Sequence, residues 1–181
     1  MSIQEFFEKT TGDMSTAIRR DLGNNIQKIV EGSSLNEQEA YLVMLSVSQT
    51  LKLESFRNYA AEKLVAIGLE PEKIAEARES AAIMGMNNIY YRFRHMIKTG
   101  QGPEISEHYK IAGLRMTSLA KPALGKDVFE LLALAVSAIN GCEMCVNSHE
   151  VELRKHGASP DKIHDVIRLA AILKGIEGLV G

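Results

Sequence analysis

The most restrictive feature of this 181-residue sequence is that its second half repeats the first at a fixed distance of 89 residues, without a gap. A glycine that can end a helix recurs together with a proline that can begin the next one. The matched positions are Gly68, Pro71, Lys73 and Ile74 in the first copy, and Gly157, Pro160, Lys162 and Ile163 in the second. A helix end and the following helix start are therefore repeated as one unit.

Apolar and small residues support the same alignment along the rest of both copies. Identical residues pair Leu42 with Leu131, Leu45 with Leu134, Val47 with Val136, Ser48 with Ser137, Asn58 with Asn147, Leu64 with Leu153, and residues 81–83 with 170–172. We interpret the pattern as an internal duplication of a three-helix unit. The pseudo-repeats span about residues 36–98 and 125–181, and we expect residues 1–181 to form a single domain.

Helical patterns and helix stop signals cover both copies, and no period-two run bounded by hairpin turns is found. We therefore predict an all-α fold. The helix at residues 127–139 is apolar nearly all round, which predicts that it is buried. The predicted helices are 36–51, 55–67, 71–85 continuing through 87–98, 105–119, 127–139, 142–156 and 160–178, with breaks at 99–103, 121–125 and 140–141.

Composition and charge exclude several classes of protein. Hydrophobic residues make up 45% of the chain, charged residues make up 24%, and the formal net charge is −2. These values are typical of a soluble globular protein and leave no basic excess for binding nucleic acid or an anionic membrane. The first residues do not resemble a signal peptide, and no apolar run is long enough to cross a membrane. We expect a cytoplasmic protein.

The duplication separates residues that the scaffold needs from residues that carry chemistry. Four positions of the second copy have unrelated residues in the first. Cys142 aligns with Leu53, Cys145 with Phe56, His149 with Ala60, and Glu130 with Tyr41. Because side chains that the fold requires should recur in both copies, these four residues of the second copy are candidates for a functional site.

The two cysteines are three residues apart, so a disulfide between them closes too small a ring to stabilise the fold by much. Behind an Asn-Gly break they lie at a helix start, where they are within disulfide reach and where the helix dipole favours a thiolate, above all at Cys142. His149 lies on the same helix face, four residues after Cys145, so its imidazole can exchange protons with a thiol. Glu130, among apolar neighbours, is suited to the same proton transfer.

Other interpretations of these residues stay open. Both cysteines could be inert thiols of the core. They could also be two zinc ligands, with His149 and Glu130 as the third and fourth. Asp127 and Glu130 have the spacing of a capping box, in which Glu130 would be the third helical residue.

Further residues have ordinary structural interpretations. We expect His156 and His164 at the surface. The basic segment Arg92–His95 is expected to be solvated or to belong to an interface rather than to a ligand site. Methionines are expected to fill gaps in the core, namely Met84, Met86, Met96 and Met116.

Glu130, Cys142, Cys145 and His149 have the spacing Glu-x11-Cys-x2-Cys-x3-His. With this motif in the second half of a duplicated all-helical chain, the sequence resembles the alkyl hydroperoxidase D (AhpD) family, within the carboxymuconolactone-decarboxylase-like superfamily. The resemblance covers nearly the whole chain. It implies an AhpD-like helical fold and an antioxidant thiol peroxidase and disulfide reductase, which reduces alkyl hydroperoxides and restores a partner peroxiredoxin (AhpC).

The same resemblance implies where the electrons come from and how the protein assembles. Dihydrolipoamide is the implied electron donor, supplied by a lipoyl-bearing acyltransferase and by lipoamide dehydrogenase. No bound cofactor and no metal are expected, only a redox-active disulfide between Cys142 and Cys145. The family also implies a homo-oligomer, a trimer or larger.

By the resemblance, Cys145 is the peroxidatic thiol that becomes a sulfenic acid, and Cys142 is the resolving thiol and proton donor. The dipole argument favours Cys142 instead. We follow the assignment that the resemblance implies, because attack on a peroxide also needs access and a nearby base. His149 and Glu130 are the implied proton relay. Family members carry a histidine directly before the second cysteine, where this chain has Met144, so the relay here rests on Glu130 and His149. The alternative is a redox-sensing or scaffold module of the same fold, without significant peroxidase turnover.

Overall fold

The computed structural model describes residues 1–180, which form nine α-helices, one 3-10 turn and no strand. The all-α prediction is confirmed. Gly181, the last residue of the second predicted repeat, lies outside the described residues. No helix within residues 1–180 has the length and apolar character that a membrane crossing requires. The elements are α1 (Ile3–Thr11), α2 (Ala17–Gly32), α3 (Glu37–Thr50), α4 (Glu54–Ala66), α5 (Pro71–Gln101), α6 (Pro103–Glu107), the 3-10 turn (Thr117–Ala120), α7 (Lys126–Ile139), α8 (Glu143–Lys155) and α9 (Pro160–Val180).

The helix bounds repeat with the same 89-residue offset as the sequence. Helices α7 and α8 begin and end 89 residues after α3 and α4, and α9 begins 89 residues after α5. Gly68 and Gly157 follow α4 and α8 in the left-handed conformation, with φ of 81° and 84°. In both copies the residue after the glycine donates its N–H to the carbonyl of a leucine five residues earlier, at 3.0 Å. The same glycine motif therefore closes both helices.

Helices α3 and α7 form the centre of the molecule. Every residue of α3 from Glu39 to Ser48 is buried, and so is every residue of α7 from Leu131 to Ser137. The two helices contact each other and both contact α5 and α9, while α4 packs on α3 and α8 packs on α7. The predicted burial of the 127–139 helix is confirmed. Because both copies contribute to one core, we propose that residues 1–180 form a single domain.

Two helices that the repeat pattern does not predict lie before residue 36. Helix α1 begins with a capping box, in which Ser2 Oγ accepts from Glu5 N at 3.2 Å and Glu5 Oε2 accepts from Ser2 N at 2.8 Å. Helix α1 packs on α2, and both pack on α9. The fully buried side chain of Phe7 shows that this segment belongs to the core.

The predicted helix at residues 105–119 is wrong. Helix α6 ends at Glu107, and residues 108–116 are not helical. Their side chains are mostly exposed, and Ile111 is 88% exposed. A helix here would have no buried face to stabilise it, and Gly113, with φ of 64°, interrupts the helical conformation.

Helix α5 is continuous from Pro71 to Gln101, so it passes the predicted break at residue 99 and ends only before Gly102. Its length brings it against both α7 and α8. Met84 lies in the core, as predicted. The expectation of a core position is wrong for Met96, which is 61% exposed near the end of the helix.

Asp165 ties α9 to the connection between α2 and α3. Its buried carboxylate accepts from the backbone N–H and the hydroxyl of Ser34, at 2.9 and 2.7 Å, and pairs with Arg168 at 2.9 Å. Burial raises the pKa of this carboxyl group, but the hydrogen bonds from Ser34 and the Arg168 guanidinium outweigh burial and hold the pKa below its usual 3.8. The ionised carboxylate therefore stabilises the folded state.

The turns before α4 and α8 share a left-handed residue although their sequences differ. Lys52 has φ of 59°, and the aligned Gly141 has φ of 66°. The next residue donates its N–H to the carbonyl of the aligned serine, at 2.9 Å in the first copy and 3.1 Å in the second. This turn geometry is a property of the repeated scaffold, and the first copy maintains it with a lysine.

We expect Asp165→Asn to lower the free energy of unfolding by about 1–3 kcal/mol at neutral pH, because an amide accepts weaker hydrogen bonds than a carboxylate. Since the folded-state pKa is lowered, this stabilisation is present above pH 3.8 and is lost as the pH falls through the folded-state pKa. Urea unfolding from neutral to acidic pH measures the difference, with the exposed Asp21→Asn as the control. Equal stability of variant and wild type at neutral pH would contradict the role given to Asp165.

Replacing Lys52 by glycine should raise the free energy of unfolding by about 1 kcal/mol, because a left-handed conformation costs a residue with a Cβ atom roughly that much. The side chain is exposed, so its removal breaks no packing. Thermal or urea unfolding measures the change. The matched control is Lys28→Gly in the middle of α2, which should be destabilised by a similar amount. If both variants lose stability, the conclusion that the left-handed conformation of Lys52 costs stability is refuted.

Candidate functional site

Cys142 and Cys145 lie at the start of α8, where the sequence places them. Cys142 is the N-cap residue and has a non-helical backbone conformation. The two sulfur atoms form a disulfide, with Cα atoms 5.2 Å apart, which is within the range that disulfides occupy. Cys142 is fully buried, whereas Cys145 is 7% exposed. Of the two sulfur-bearing residues, Cys145 is the one with surface that a small molecule can reach.

A short hydrogen bond joins Glu130 to His149 across α7 and α8, with 2.6 Å between Oε2 and Nδ1. Both side chains are largely buried, the glutamate 23% and the histidine 17% exposed. When Nδ1 donates to the carboxylate, Nε2 is the ring nitrogen that can exchange a proton. The capping-box interpretation is wrong, because the N-cap of α7 is Gly125 and no side chain caps this helix.

A cavity of about 380 Å³ opens beside Cys145, a size that suits a small-molecule site. Helix α8 contributes Ser148 and His149 to its lining. The polar side chains that α5 contributes are those of Asn87, Asn88, Tyr91 and Arg94. Much of the remaining surface is apolar and comes from Met84, Met116, Leu119 and Met144. Cys142 does not line the cavity. The arrangement therefore gives a ligand access to one sulfur and to an imidazole at the same time.

Helix α5 holds the turn that precedes the cysteines. Asn88 Nδ2 donates to Ser137 Oγ at 2.8 Å, and Asn88 Oδ1 accepts from Asn140 Nδ2 at 2.9 Å. Arg92 Nη1 donates to the carbonyl oxygen of Asn140 at 2.6 Å. Since Asn140 lies two residues before Cys142, these bonds fix the turn against α5. The duplication did not point to Asn88 or Arg92, and the one sequence signal was a pair of asparagines inside a helix, where asparagine is disfavoured.

The basic segment at residues 92–95 also differs from expectation. Arg92 bonds the turn, and Arg94 lines the cavity beside Cys145. These two residues are therefore not simply solvated, and a role of this segment in an interface stays a prediction. Phe93 does lie at the surface, 42% exposed, and His95 is 3.9 Å from Glu143.

The aligned positions of the first copy contain an aromatic cluster. Phe56, in the place of Cys145, packs edge-on against Phe6 of α1 with ring centroids 4.9 Å apart, and Tyr59 stacks on Phe6 at 4.1 Å. Tyr41, in the place of the glutamate, lies edge-on to Tyr59 at 6.1 Å. Burial raises the pKa of both tyrosines. Helix α1 thus covers in the first copy the place that is open to solvent in the second.

Neither of the other histidines of the second copy joins the site. His156 and His164 are at the surface, as predicted, and His156 Nδ1 pairs with Asp127 Oδ1 at 3.0 Å. Across residues 1–180, no group of three or more His, Cys, Asp and Glu side chains is arranged to hold a metal ion.

Proteins of known family are similar to this chain over most of its length. Residues 108–180, which include the cysteine pair, match the model of the Carboxymuconolactone decarboxylase family. A protein of Anaeromyxobacter dehalogenans named alkyl hydroperoxide reductase AhpD is 41% identical over 85% of this chain and 80% of its own length. Proteins of the same name from Rhizorhabdus wittichii and Coxiella burnetii are 37% and 36% identical, over 96% and 93% of this chain and 94% and 93% of theirs. The chain belongs to the AhpD family.

We expect Asn88→Ala to lower the free energy of unfolding by about 1–3 kcal/mol, because it leaves the buried Ser137 hydroxyl and the Asn140 amide without a partner. The matched control is Asn87→Ala at the preceding position, where the side-chain oxygen is buried and has no hydrogen-bond partner among residues 1–180. That control should cost less than about 0.5 kcal/mol or stabilise the protein. Urea unfolding of the three oxidised proteins measures both values. An equal loss in both variants would refute the positioning role of Asn88.

Proposed function

We propose that this chain is an alkyl hydroperoxide reductase that cycles between a Cys142–Cys145 disulfide and the corresponding dithiol. The observation that carries the proposal is the cavity where Cys145 and the carboxylate-bonded His149 lie together. The alternative of two inert core thiols does not explain why one of them borders a cavity with an imidazole. The names of the relatives, alkyl hydroperoxide reductase, support the same activity.

Access and hydrogen bonding support the division of roles. Cys145 is proposed as the peroxidatic thiol because it lines the cavity, whereas the buried Cys142 is placed to resolve the oxidised sulfur and to donate a proton. His149 exchanges protons with the thiols through the ring nitrogen that Glu130 leaves free. Glu130 orients the imidazole and compensates its charge. Met144 lines the cavity but cannot transfer a proton, so the relay consists of Glu130, His149 and water.

The reaction proceeds in three steps. The Cys145 thiolate attacks the terminal oxygen of the hydroperoxide, the O–O bond breaks, and the alkoxide leaves as an alcohol after taking a proton. The resulting sulfenic acid condenses with the Cys142 thiol, which releases water and forms the disulfide. A dithiol then reduces the disulfide by thiol–disulfide exchange and is itself oxidised to a cyclic disulfide.

Resemblance to the family supports a proposal for the electron donor and the physiological partners. We propose a dihydrolipoyl group, carried on an acyltransferase and kept reduced by lipoamide dehydrogenase, as the donor. A narrow, apolar dithiol suits a cavity whose lining includes methionine and leucine side chains. The same disulfide cycle would serve a partner peroxiredoxin, AhpC, whose own disulfide Cys145 would attack. A cytoplasmic location, with its reducing thiol pool, suits both reactions.

An exposed apolar face supports the proposed homo-oligomer, a trimer or larger. Ile89, Phe93 and Met96 lie three to four residues apart on one face of α5 and are 65%, 42% and 61% exposed. Phe93 packs edge-on against Tyr109, with ring centroids 5.1 Å apart, which extends the face into the segment after α6. Contiguous exposed apolar surface of this kind is typical of contacts between subunits.

Oxidation of NADH in the presence of lipoamide dehydrogenase, lipoamide, the protein and cumene hydroperoxide tests the proposal. We expect peroxide-dependent turnover that is abolished by Cys145→Ser and by Cys142→Ser. His149→Gln should lower kcat/KM about a hundredfold or more, because it removes the general base. The matched control is Tyr41→Phe, at the position that aligns with Glu130 in the first copy, which should leave turnover unchanged.

Addition of an oxidised peroxiredoxin to the same mixture separates the two activities. NADH oxidation that continues with the peroxiredoxin disulfide but not with peroxide would assign the chain to disulfide reduction alone. A disulfide that forms with peroxide but is not reduced by dihydrolipoamide would refute the lipoyl proposal and favour the redox-sensing alternative. A Cys142→Ser protein that still cycles would contradict the proposed mechanism.

A further inference from the structure

Arg94 places a cation at the cavity beside Cys145, whose lining has both polar and apolar side chains. It lies on α5 and lines the cavity beside Cys145, and its Nε is buried without a hydrogen-bond partner among residues 1–180. No aspartate or glutamate lines this cavity. A buried guanidinium donor that lacks a partner is costly unless a ligand supplies an acceptor. The site is therefore suited to bind an anionic hydrogen-bond acceptor.

The nearby Arg92 shows that this state is specific to Arg94. Arg92 is two residues earlier on the same helix, and its guanidinium is engaged by the carbonyl oxygen of Asn140 at 2.6 Å. It holds the turn and does not line the cavity. Of the two arginines, Arg94 is the one whose guanidinium is available to a ligand beside the reactive sulfur.

Asn87 provides a second, independent indication of a ligand. Its side chain is 6% exposed and lines the same cavity, yet Oδ1 is buried without a hydrogen-bond partner among the described residues. The adjacent Asn88 is bonded through both amide atoms. Asn87 Oδ1 is an acceptor, so a ligand with a hydrogen-bond donor would satisfy it.

The spacing of the two groups restricts the ligand. Asn87 and Arg94 are seven residues apart, so they lie on one face of α5 about 10 Å apart along the helix axis. Tyr91 lies between them on α5 and also lines the cavity, and the apolar part of the lining includes Met84, Met116 and Leu119. The complementary molecule has a donor near one end, an anionic acceptor near the other and hydrocarbon between them. A hydroperoxide that also carries a carboxylate has these properties, because its O–OH group donates and its carboxylate accepts.

We propose that Arg94 and Asn87 are specificity-determining residues that select carboxylate-bearing hydroperoxides, with fatty-acid hydroperoxides as the substrate class. The Arg94 guanidinium donates to the substrate carboxylate, and Asn87 Oδ1 accepts the hydrogen of the hydroperoxide group that Cys145 attacks. This inference rests on the peroxidase reaction proposed above and adds a recognition element to it.

Steady-state kinetics with linoleic acid hydroperoxide and its methyl ester test the carboxylate contact. Wild type should prefer the acid over the ester about tenfold or more in kcat/KM, because a charge-assisted hydrogen bond is lost with the ester. Arg94→Met should bring the ratio close to one by slowing the acid and sparing the ester. The matched control, Arg78→Met on the exposed part of α5, should keep the wild-type ratio. No preference in wild type, or an unchanged ratio in Arg94→Met, overturns the proposal.

The two recognition residues should differ in their effects. Asn87→Ala should lower kcat/KM for the acid and the ester by the same factor, because Asn87 contacts the hydroperoxide group that both substrates share. Equal kcat/KM values in wild type and Asn87→Ala would overturn its role. Light scattering of Arg94→Met gives the oligomer mass. A changed mass together with lost selectivity would assign Arg94 to a contact between subunits and would also overturn the proposal.

Binding of unreactive probes to the oxidised protein separates this inference from the peroxidase proposal. Isothermal titration calorimetry should show that octanoate binds wild type at least tenfold more tightly than it binds Arg94→Met, while octanamide binds both equally. Turnover of cumene hydroperoxide without Arg94-dependent octanoate binding would refute the carboxylate site and leave the peroxidase in place. Arg94-dependent octanoate binding without turnover of any hydroperoxide would refute the peroxidase and leave the anion site.

Discussion

The packing of α3 against α7 is the interaction on which the rest of the structure depends. Both helices are buried along nearly their whole length, and each carries its own packed partner helix, α4 or α8. A core of this kind requires that buried polar atoms find partners. Ser137, inside α7, finds its partner in Asn88 of α5, and that bond continues to Asn140 at the turn before the cysteines. The two bonds of Asn88 therefore connect a buried hydroxyl of α7 to the turn that precedes the cysteines.

Much of the fold and the residues of the cysteine pair could be predicted from sequence, because their signals are local or are repeated. Glycine and proline mark the ends of the repeated helices, and comparison of the two copies isolates Glu130, Cys142, Cys145 and His149. The structure brings the glutamate and the histidine into contact. The contribution of α5 could not be predicted, since Asn88 contacts residues 49 and 52 positions away and the asparagine pair inside the helix does not indicate which residues it contacts. The prediction of a helix over residues 105–119 was wrong because its apolar residues have helical spacing but most side chains of residues 108–116 are exposed.

Two physical arguments about the cysteines lead in opposite directions, and burial distinguishes them. The helix dipole acts most strongly on the N-cap residue Cys142, which favours its thiolate. Cys142 is nevertheless sealed from solvent, whereas Cys145 borders the cavity. A nucleophile must meet its substrate before its reactivity matters, so access outweighs the dipole in the proposed assignment. In the proposed cycle the N-cap position stabilises Cys142 as the thiolate that leaves when a donor dithiol attacks Cys145.

The turn that presents the cysteines exists in the first copy as well, where Lys52 adopts the left-handed conformation and leucine and phenylalanine stand in place of the sulfurs. That half performs no thiol chemistry, yet it retains the backbone. The shape of the turn was therefore not created by the disulfide, and it does not need one to persist. In the first copy, aromatic packing under α1 covers the place that is equivalent to the cavity of the second copy. The inert turn is a ready backbone template on which a second dithiol centre could be engineered.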